Sequence, residues 1–395
     1  MNRQWFLTGS IIAAGSSVLG QRVIDITGTG QGKIPISLAA YRTGSDSASR
    51  GFLAVLKADL NRSGYFRVTS SGAAVSVTGQ ARAGSQMKAD IQVYKVAGRR
   101  RLLGKSYDAS ANAYRSLAHK AADDILYAVT GKKGMASAKI AMVGTPTGRK
   151  ELYMADIDGK GIRQITKDRS IVVAPRWSPD GRNITYTSYK RGYPNVFITG
   201  RSRPISKHPG LNAMGTISPD GRTLAVILSK DGNPDLYLKN LLTGFTKRIT
   251  KTRRGNEASP CWSPDGNHLV YVSDSSGRPH IYIVSKNGGT PKRISSSGTE
   301  NISPDWGKNG LITWCSRIGG KYRIVVGNPV RRTSRVLETD WADYEDPRWA
   351  PDGRHIVCSR TSSYRSGIYL LDTLKDSPVA LISGSGDWYS PAVSP

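Results

Sequence analysis

Trp177-Ser178-Pro179-Asp180-Gly181 is the stretch that decides the fold. Ser-Pro-Asp-Gly recurs at 218–221 and 263–266, and Ala-Pro-Asp-Gly at 350–353. A further Ser-Pro-Asp, at 303–305, is out of step with the others. Anchoring instead on the residue before each turn aligns Trp177, Ile217, Trp262, Trp306, Trp349 and Val393, at intervals of 40, 45, 44, 43 and 44 residues. In that register residues 307–310, Gly-Lys-Asn-Gly, are a degenerate turn. Proline then stands two places before the anchor in five units, as Pro175, Pro260, Pro304, Pro347 and Pro391; Gly215 takes the place in the sixth. Asp-Gly after an apolar run is a strong hairpin signal, because glycine accepts the positive φ that the turn demands. Proline before the anchor is expected at the start of a strand, where no ladder donor is needed.

Each unit continues with a second strand (184–188, 224–229, 269–273, 356–359), a polar or glycine-rich turn, a third (235–238, 280–284, 367–371) and a fourth (247–250, 292–295, 379–382). Four strands repeating every 40–45 residues make a propeller blade. One blade cannot bury both faces, but six in a ring bury each against a neighbour and leave no long open edge. Residues 389–395 are a first strand with nothing after it, and 138–167 hold three strands lacking a first. The C-terminal strand is therefore expected to join those three and close the ring. The repeated Trp should pack between blades, and each turn Asp should cap its own turn.

Upstream the pattern changes. Strands are expected at 22–26, 34–41, 65–69, 74–80, 89–96 and 102–107. Helices are expected at 45–63, with Phe52, Leu53, Leu56 and Leu60 in a stripe, and at 113–130, with Leu117, Ala121, Ile125 and Val129 on one face. The fold class is thus an α+β domain over 21–133, followed by an all-β six-bladed propeller over 134–395. The first twenty residues read as an export signal: Arg3 precedes an uncharged run, with cleavage expected near Gly20/Gln21. The chain is then periplasmic or otherwise exported.

The net charge is +28, spread over both domains: residues 21–133 carry 18 basic and 7 acidic side chains, and 134–395 carry 38 and 22. Such a field attracts polyanions in general. Arg99-Arg100-Arg101 reads as a solvated hairpin turn. Cys261, Cys315 and Cys358 form no C-x-x-C pair and are expected to be free, mostly buried thiols.

Catalytic signals are weak. No Gly-x-Ser-x-Gly occurs, which removes the serine hydrolases that also carry propellers. Of five histidines, His268 and His355 follow Asp-Gly turns and read as surface strand starts, while His119, His208 and His280 converge by no spacing. Gly28-x-Gly30-x-Gly32-Lys33 is too short for a phosphate loop. Asp156-Ile157-Asp158-Gly159 reads as a hairpin turn. No cofactor is expected, beyond Ca²⁺ held weakly in a propeller channel lined by carbonyls and carboxylates.

The segment Ala58-Asp59-Leu60-Asn61-Arg62-Ser63-Gly64-Tyr65-Phe66, the 126–134 junction and the six Trp-Ser-Pro-Asp-Gly-like units together resemble the TolB family of the Tol–Pal envelope system, over essentially the whole chain after residue 20. The resemblance implies a non-enzymatic periplasmic scaffold supporting outer-membrane integrity and cell division. It implies that the propeller binds a Pal-like peptidoglycan-associated lipoprotein through loops carrying Leu211, Asn212, Met214, Asn256, Glu257, Ala258, Asn301, Asp343, Tyr344 and Glu345. It also implies that Gln21, Arg22, Val23, Ile24, Asp25 and Ile26 engage a TolA-like inner-membrane protein. A monomer that binds no nucleic acid is expected. Ile217 and Gly215 depart from the repeat, the N-terminal domain is short for the family, and the resemblance does not account for the charge. Two alternatives stand beside it: a lyase-like propeller enzyme acting on anionic polysaccharide, and a protein binding anionic envelope glycans or lipids.

Overall fold

The computed structural model describes residues 32–337, 339–374 and 377–395. The expected export segment, its cleavage point and the strand at 22–26 lie outside the described residues. Among those described, no helix is long and apolar enough to cross a membrane.

The first domain is a six-stranded sheet backed by two helices. Phe66–Val68, Ile34–Ser37, Val75–Ala83, Gln86–Lys95 and Arg100–Ser110 follow one another across it, and Tyr41–Thr43 pairs with the far part of Val75–Ala83. Period-two alternation turns Val75, Val77, Ala81, Met87, Ala89, Ile91 and Val93 onto one face, where all are buried. Helix α1 (Ser47–Arg62) starts where Asp46 accepts a hydrogen bond from the Ser49 N–H at 2.7 Å, and its buried stripe is Phe52, Leu56 and Leu60. Helix α2 (Tyr114–Thr130) ends on left-handed Gly131, whose N–H reaches the Tyr127 carbonyl at 2.8 Å.

The single strand expected at 34–41 is two. Ser37 pairs with Ser76 and Tyr41 with Gly79, so four steps on one side face three on the other. The surplus residue buckles the chain into a turn at 38–40. At Gly79 φ is +127°, and a Cβ there would lie 2.0 Å from the Asp90 carbonyl oxygen. Gly79→Ala is therefore expected to destabilise the first domain by at least about 1–3 kcal/mol. A urea midpoint equal to wild type would contradict this.

The propeller has six blades. Their inner strands are Val172–Trp177 (blade A), Asn212–Ile217 (B), Glu257–Trp262 (C), Asn301–Trp306 (D), Asp343–Trp349 (E) and Trp388–Val393 (F). Each inner strand touches the next, and that of blade F touches that of blade A, so the ring closes. In blade F the C-terminal strand pairs with Lys139–Gly144, which continues to Glu151–Asp156 and Arg163–Gln164. Blade A has three strands, not four. Its outer position is reduced to one bridge, Val196 to Ser206, in a segment that carries Gly200 and the donorless Pro204.

The turns work as their residues suggest. The Ser178 hydroxyl donates to Asp180, which accepts the Arg182 N–H at 3.0 Å, and Gly181 sits at φ +67°. Ser218/Asp220 and Ser263/Asp265 repeat this. Where Ala350 replaces Ser, the His355 ring fills in: its Nδ1 lies 2.6 Å from Asp352, and the residue is 1% exposed rather than on the surface. The anchor tryptophans join blades, as the Trp177 indole donates to the Ala392 carbonyl at 3.0 Å and that of Trp262 to Thr216 at 3.2 Å.

The proline is not at a strand start. Every inner strand carries one extra residue against its neighbour just before the anchor, a β-bulge. The bulge residue is non-glycine at positive φ in all six blades: Ala174, Met214, Ser259, Ser303, Asp346 and Ser390. Proline follows in five, where the bulge has already broken the ladder, so its missing N–H costs nothing. The three thiols are free, Cys315 and Cys358 buried in middle strands and Cys261 half-buried on an inner strand.

Candidate docking face, axial channel and domain junction

Strands alternate direction within a blade. The turns between second and third strands therefore share one rim with the connections that lead to each new inner strand. This rim carries the ten propeller residues proposed as partner contacts, and the structure divides them. Asn212, Glu257, Asn301 and Tyr344 are at most 2% exposed. The Asn212 side chain accepts from the His208 N–H at 2.7 Å and the Ser206 hydroxyl at 2.9 Å, and Asn301 accepts from the Trp314 indole at 2.9 Å. The Tyr344 hydroxyl donates to Asp340 at 2.7 Å and accepts from Arg360 at 3.0 Å. These side chains brace the rim from inside. Leu211, Met214, Ala258, Asp343 and Glu345 are half-buried and Asn256 is exposed. Asn256 is tied through its N–H to Asp274 at 2.6 Å, and Asp343 receives Lys321 at 3.0 Å. Gln21 to Ile26 lie outside the described residues.

Two rim carboxyls are held unusually weak as acids. Burial, reinforced by the adjoining Asp235, raises Glu257 to about 7. Burial followed by the charges of Asp346 and Asp343 raises Glu345 to about 7. The rim therefore sheds negative charge near neutrality.

Sequence reasoning missed the groups that stand out from this rim. Trp341 is 69% exposed, Tyr193 74% and Tyr364 99%, each in a connection rather than a strand. An aromatic out of register with the blade repeat was the signal available for them. Around them stand exposed Arg169, Arg191, Lys251, Arg253, Arg254 and Arg278.

The opposite rim meets the first domain through a charged junction. His119 of α2 lies 2.6 Å from Asp59 of α1 through Nδ1 and 3.5 Å from Asp156 of blade F through Nε2. Arg115 reaches Asp158 at 2.6 Å and Asp156 at 3.3 Å, and Lys139 also pairs with Asp156. Burial would lower the His119 pKa, but the two carboxylates outweigh it and hold the ring at about 9. His119, Asp156 and Asp158 are close enough to share a metal ion. Their acceptor atoms are instead taken by Arg115 and Lys139, and the imidazole is protonated at neutral pH. The Asp156-Gly159 turn is thus also the propeller's half of the junction. Arg354, paired with Asp372 at 2.6 Å, adds a second contact by stacking 4.6 Å from the Tyr65 ring centroid.

Between the rims runs the axial channel, lined by inner strands. The residue before each anchor forms one tier: Arg176, Thr216, Cys261, Asp305, Arg348 and Ala392. Asp305 accepts the Trp349 N–H at 2.9 Å, and the Cys261 sulfur accepts that of Trp306 at 3.4 Å. The bulge residues form a second tier, in which Asp346 accepts from Ser303 at 2.6 Å and from Ser390 at 2.7 Å.

Comparison with known proteins agrees with this architecture. Residues 22–115 match the model of the TolB amino-terminal domain and 127–395 that of the TolB beta propeller domain. The Tol-Pal system protein TolB of Gluconobacter oxydans is 31% identical over 95% of this chain and 89% of its own length. Those of Desulfotalea psychrophila and Albidiferax ferrireducens are 33% and 32% identical, but the matches span only 36% and 52% of those relatives. The crystal structure of TolB from Acinetobacter baumannii superposes with a TM-score of 0.81 at 26% identity, covering 92% of this chain and 97% of that one. With family models spanning both domains and a full-length relative above 30% identity, the chain belongs to the TolB family.

Proposed function

We propose that this protein is a non-catalytic, monomeric docking component of a Tol–Pal envelope system, acting in the periplasm in support of outer-membrane integrity and cell division. In this reading the rim bearing Trp341, Tyr193 and Tyr364 receives a Pal-like peptidoglycan-associated lipoprotein, and residues 21–26 engage a TolA-like inner-membrane protein. The observation that carries it is three exposed aromatics on a basic rim of a family propeller. Large, rigid aromatics in a charged surround are what interface hot spots are made of. No nucleic-acid partner is part of this reading.

Trp341→Ala and Tyr364→Ala are each expected to weaken binding of such a lipoprotein about 30-fold or more, about 2 kcal/mol. Val330→Ala, equally exposed on the other rim, should leave it unchanged. Removing residues 21–33 should abolish recovery of the inner-membrane partner while leaving the lipoprotein bound. Equal affinities for all three point variants, measured by calorimetry, would refute the rim assignment. The +28 charge keeps a second reading in view, in which the basic surface holds anionic envelope glycan or lipid; such binding should fall steeply with added salt.

A further inference from the structure

On the rim that meets the first domain, the connections that follow each third strand divide by charge. Those of blades A to D, residues 199–204, 239–247, 286–293 and 329–335, carry two, two, three and three basic residues and no acidic one. The corresponding segments of the other two blades are acidic and are taken up by the domain junction. Asp156 and Asp158 of blade F pair with Arg115 of the first domain, and Asp372 of blade E holds the Arg354 that stacks on Tyr65. On the remaining blades Arg201, Arg203, Lys286, Lys292, Arg331 and Arg332 are all exposed. Lys239 and Lys247 reach the carbonyl oxygens of Ile205 at 2.8 Å and Asn287 at 3.0 Å, contacts that leave their charge unneutralised.

Aliphatic side chains stand out among these bases at equivalent positions. The Asn240 side chain accepts the N–H groups of Leu242 and Thr243, both at 2.9 Å, and that of Asn328 accepts those of Val330 and Arg331 at 3.0 and 2.9 Å. Two residues after each cap, Leu242 is 94% exposed and Val330 88%, and Phe245 is exposed in the same turn as Leu242. Asp372 repeats the device and presents Leu374, also exposed. A lone exposed aliphatic is ordinary, but its recurrence at one position of a capped turn marks a contact surface. The turns are continuous with one another. A groove of about 630 Å³ between blades A and B is lined by Arg201, Arg203, Lys239 and Leu242. Lys247 then ties blade B to blade C, and a second groove, of about 830 Å³ between blades C and D, is lined by Lys292, Arg293, Arg332 and Val330.

We infer that the outer turns of blades A to D form a docking surface for a bilayer that displays anionic phospholipid. This rests on the reading that the basic surface holds anionic envelope material, and gives that reading a place and a partner. The bases draw the rim to lipid phosphates, and Leu242, Phe245 and Val330 enter the boundary between headgroups and acyl chains. An anionic glycan answers the charge but offers no apolar layer to receive the aliphatic tips. The contact is shallow and reversible, and it leaves the opposite rim, with Trp341 and Tyr364, open to a lipoprotein.

The test floats the full chain after the export segment with vesicles of phosphatidylglycerol and phosphatidylcholine in equal parts, and with vesicles of phosphatidylcholine alone. Binding is expected to the anionic vesicles only, falling about tenfold or more in about 1 M salt, where the screening length is about 3 Å. The double variants Arg201→Gln/Arg203→Gln and Leu242→Ser/Val330→Ser should each weaken it about tenfold. All four positions are exposed, so both variants should melt as wild type does. Trp341→Ala should bind vesicles like wild type, which tells a failure of this surface apart from a failure of the lipoprotein rim. Vesicle binding unmoved by both double variants overturns the placement and leaves the reading of the basic surface intact. Capture of polygalacturonate with the vesicles ignored overturns the lipid assignment, and binding to neither overturns both.

Discussion

A chain ending at residue 387 is expected to lose the cooperative unfolding of its propeller. The segment removed is the inner strand of blade F, Trp388–Val393, and its loss undoes pairings between residues 244 to 253 apart in sequence. Trp388 and Val393 pair with Gly144 and Ile140, and the Ser394 N–H donates to the Lys139 carbonyl at 2.9 Å. Trp388 is 2% exposed and meets the Tyr153 ring edge-on at 5.1 Å. The Ala392 carbonyl is the acceptor for the Trp177 indole, so blade A loses a partner too. Without this strand, blades A and F no longer share an inner seam and both present raw edges. Trp388→Ala alone should cost about 3–5 kcal/mol, the range for a buried tryptophan, provided the site cannot collapse. Urea unfolding followed by fluorescence and limited proteolysis reads both variants. A truncated chain with a wild-type midpoint and protease resistance would show that the ring is held some other way.

The second large effect is on the junction between domains and depends on pH. The folded protein holds His119 protonated with a pKa of about 9, against 6.5 in the unfolded chain. A folded pKa raised in this way means stability fully present below pH 6.5 and lost as pH rises through about 9. With the side chain only 3% exposed, the span is worth about 3 kcal/mol. Near pH 6, His119→Gln should cost about 3 kcal/mol, the worth of that span, because Asp59 and Asp156 lose their shared cation while Arg62 stays on Asp59 and Arg115 and Lys139 stay on Asp156. Above pH 9 wild type and variant should converge. Thermal melts of both proteins from pH 6 to 9.5 test this, and a difference that stays constant across the range would falsify it. The junction holds α1, α2 and blade F in a single relation.

Much of this architecture was legible because it repeats. Trp177, Trp262, Trp306 and Trp349 announce their register at near-constant spacing, and Asp180-Gly181 and its copies mark the hairpins through local chemistry alone. The orphan strand at 389–395 could be assigned to blade F by counting. The Phe52-Leu56-Leu60 and Leu117-Ala121-Ile125 stripes placed both helices within about two residues. Legibility ended where the repeat was broken by an insertion. The extra residue that splits 34–41 leaves no periodic trace, and the missing outer strand of blade A leaves only a shortened interval, 40 residues from Trp177 to Ile217. The site was read less well than the fold. Loop positions could be chosen by topology, but not whether a side chain there faces solvent or core, and so Asn212, Asn301 and Tyr344 proved to be internal braces while Trp341 and Tyr364 stood outside.

The division follows from the range of the forces. Turn type, helix stripe and blade count depend on residues within one or two turns of each other along the chain, and one sequence suffices to read them. Bulges repeated at Ala174, Met214, Ser259, Ser303, Asp346 and Ser390 are imposed by packing six inner strands around an axis. The pairing of His119 with Asp59 and with Asp156 unites residues that no periodicity connects. Their charge states and partners were settled only when folding removed water from between them and left each buried group to find its counterpart.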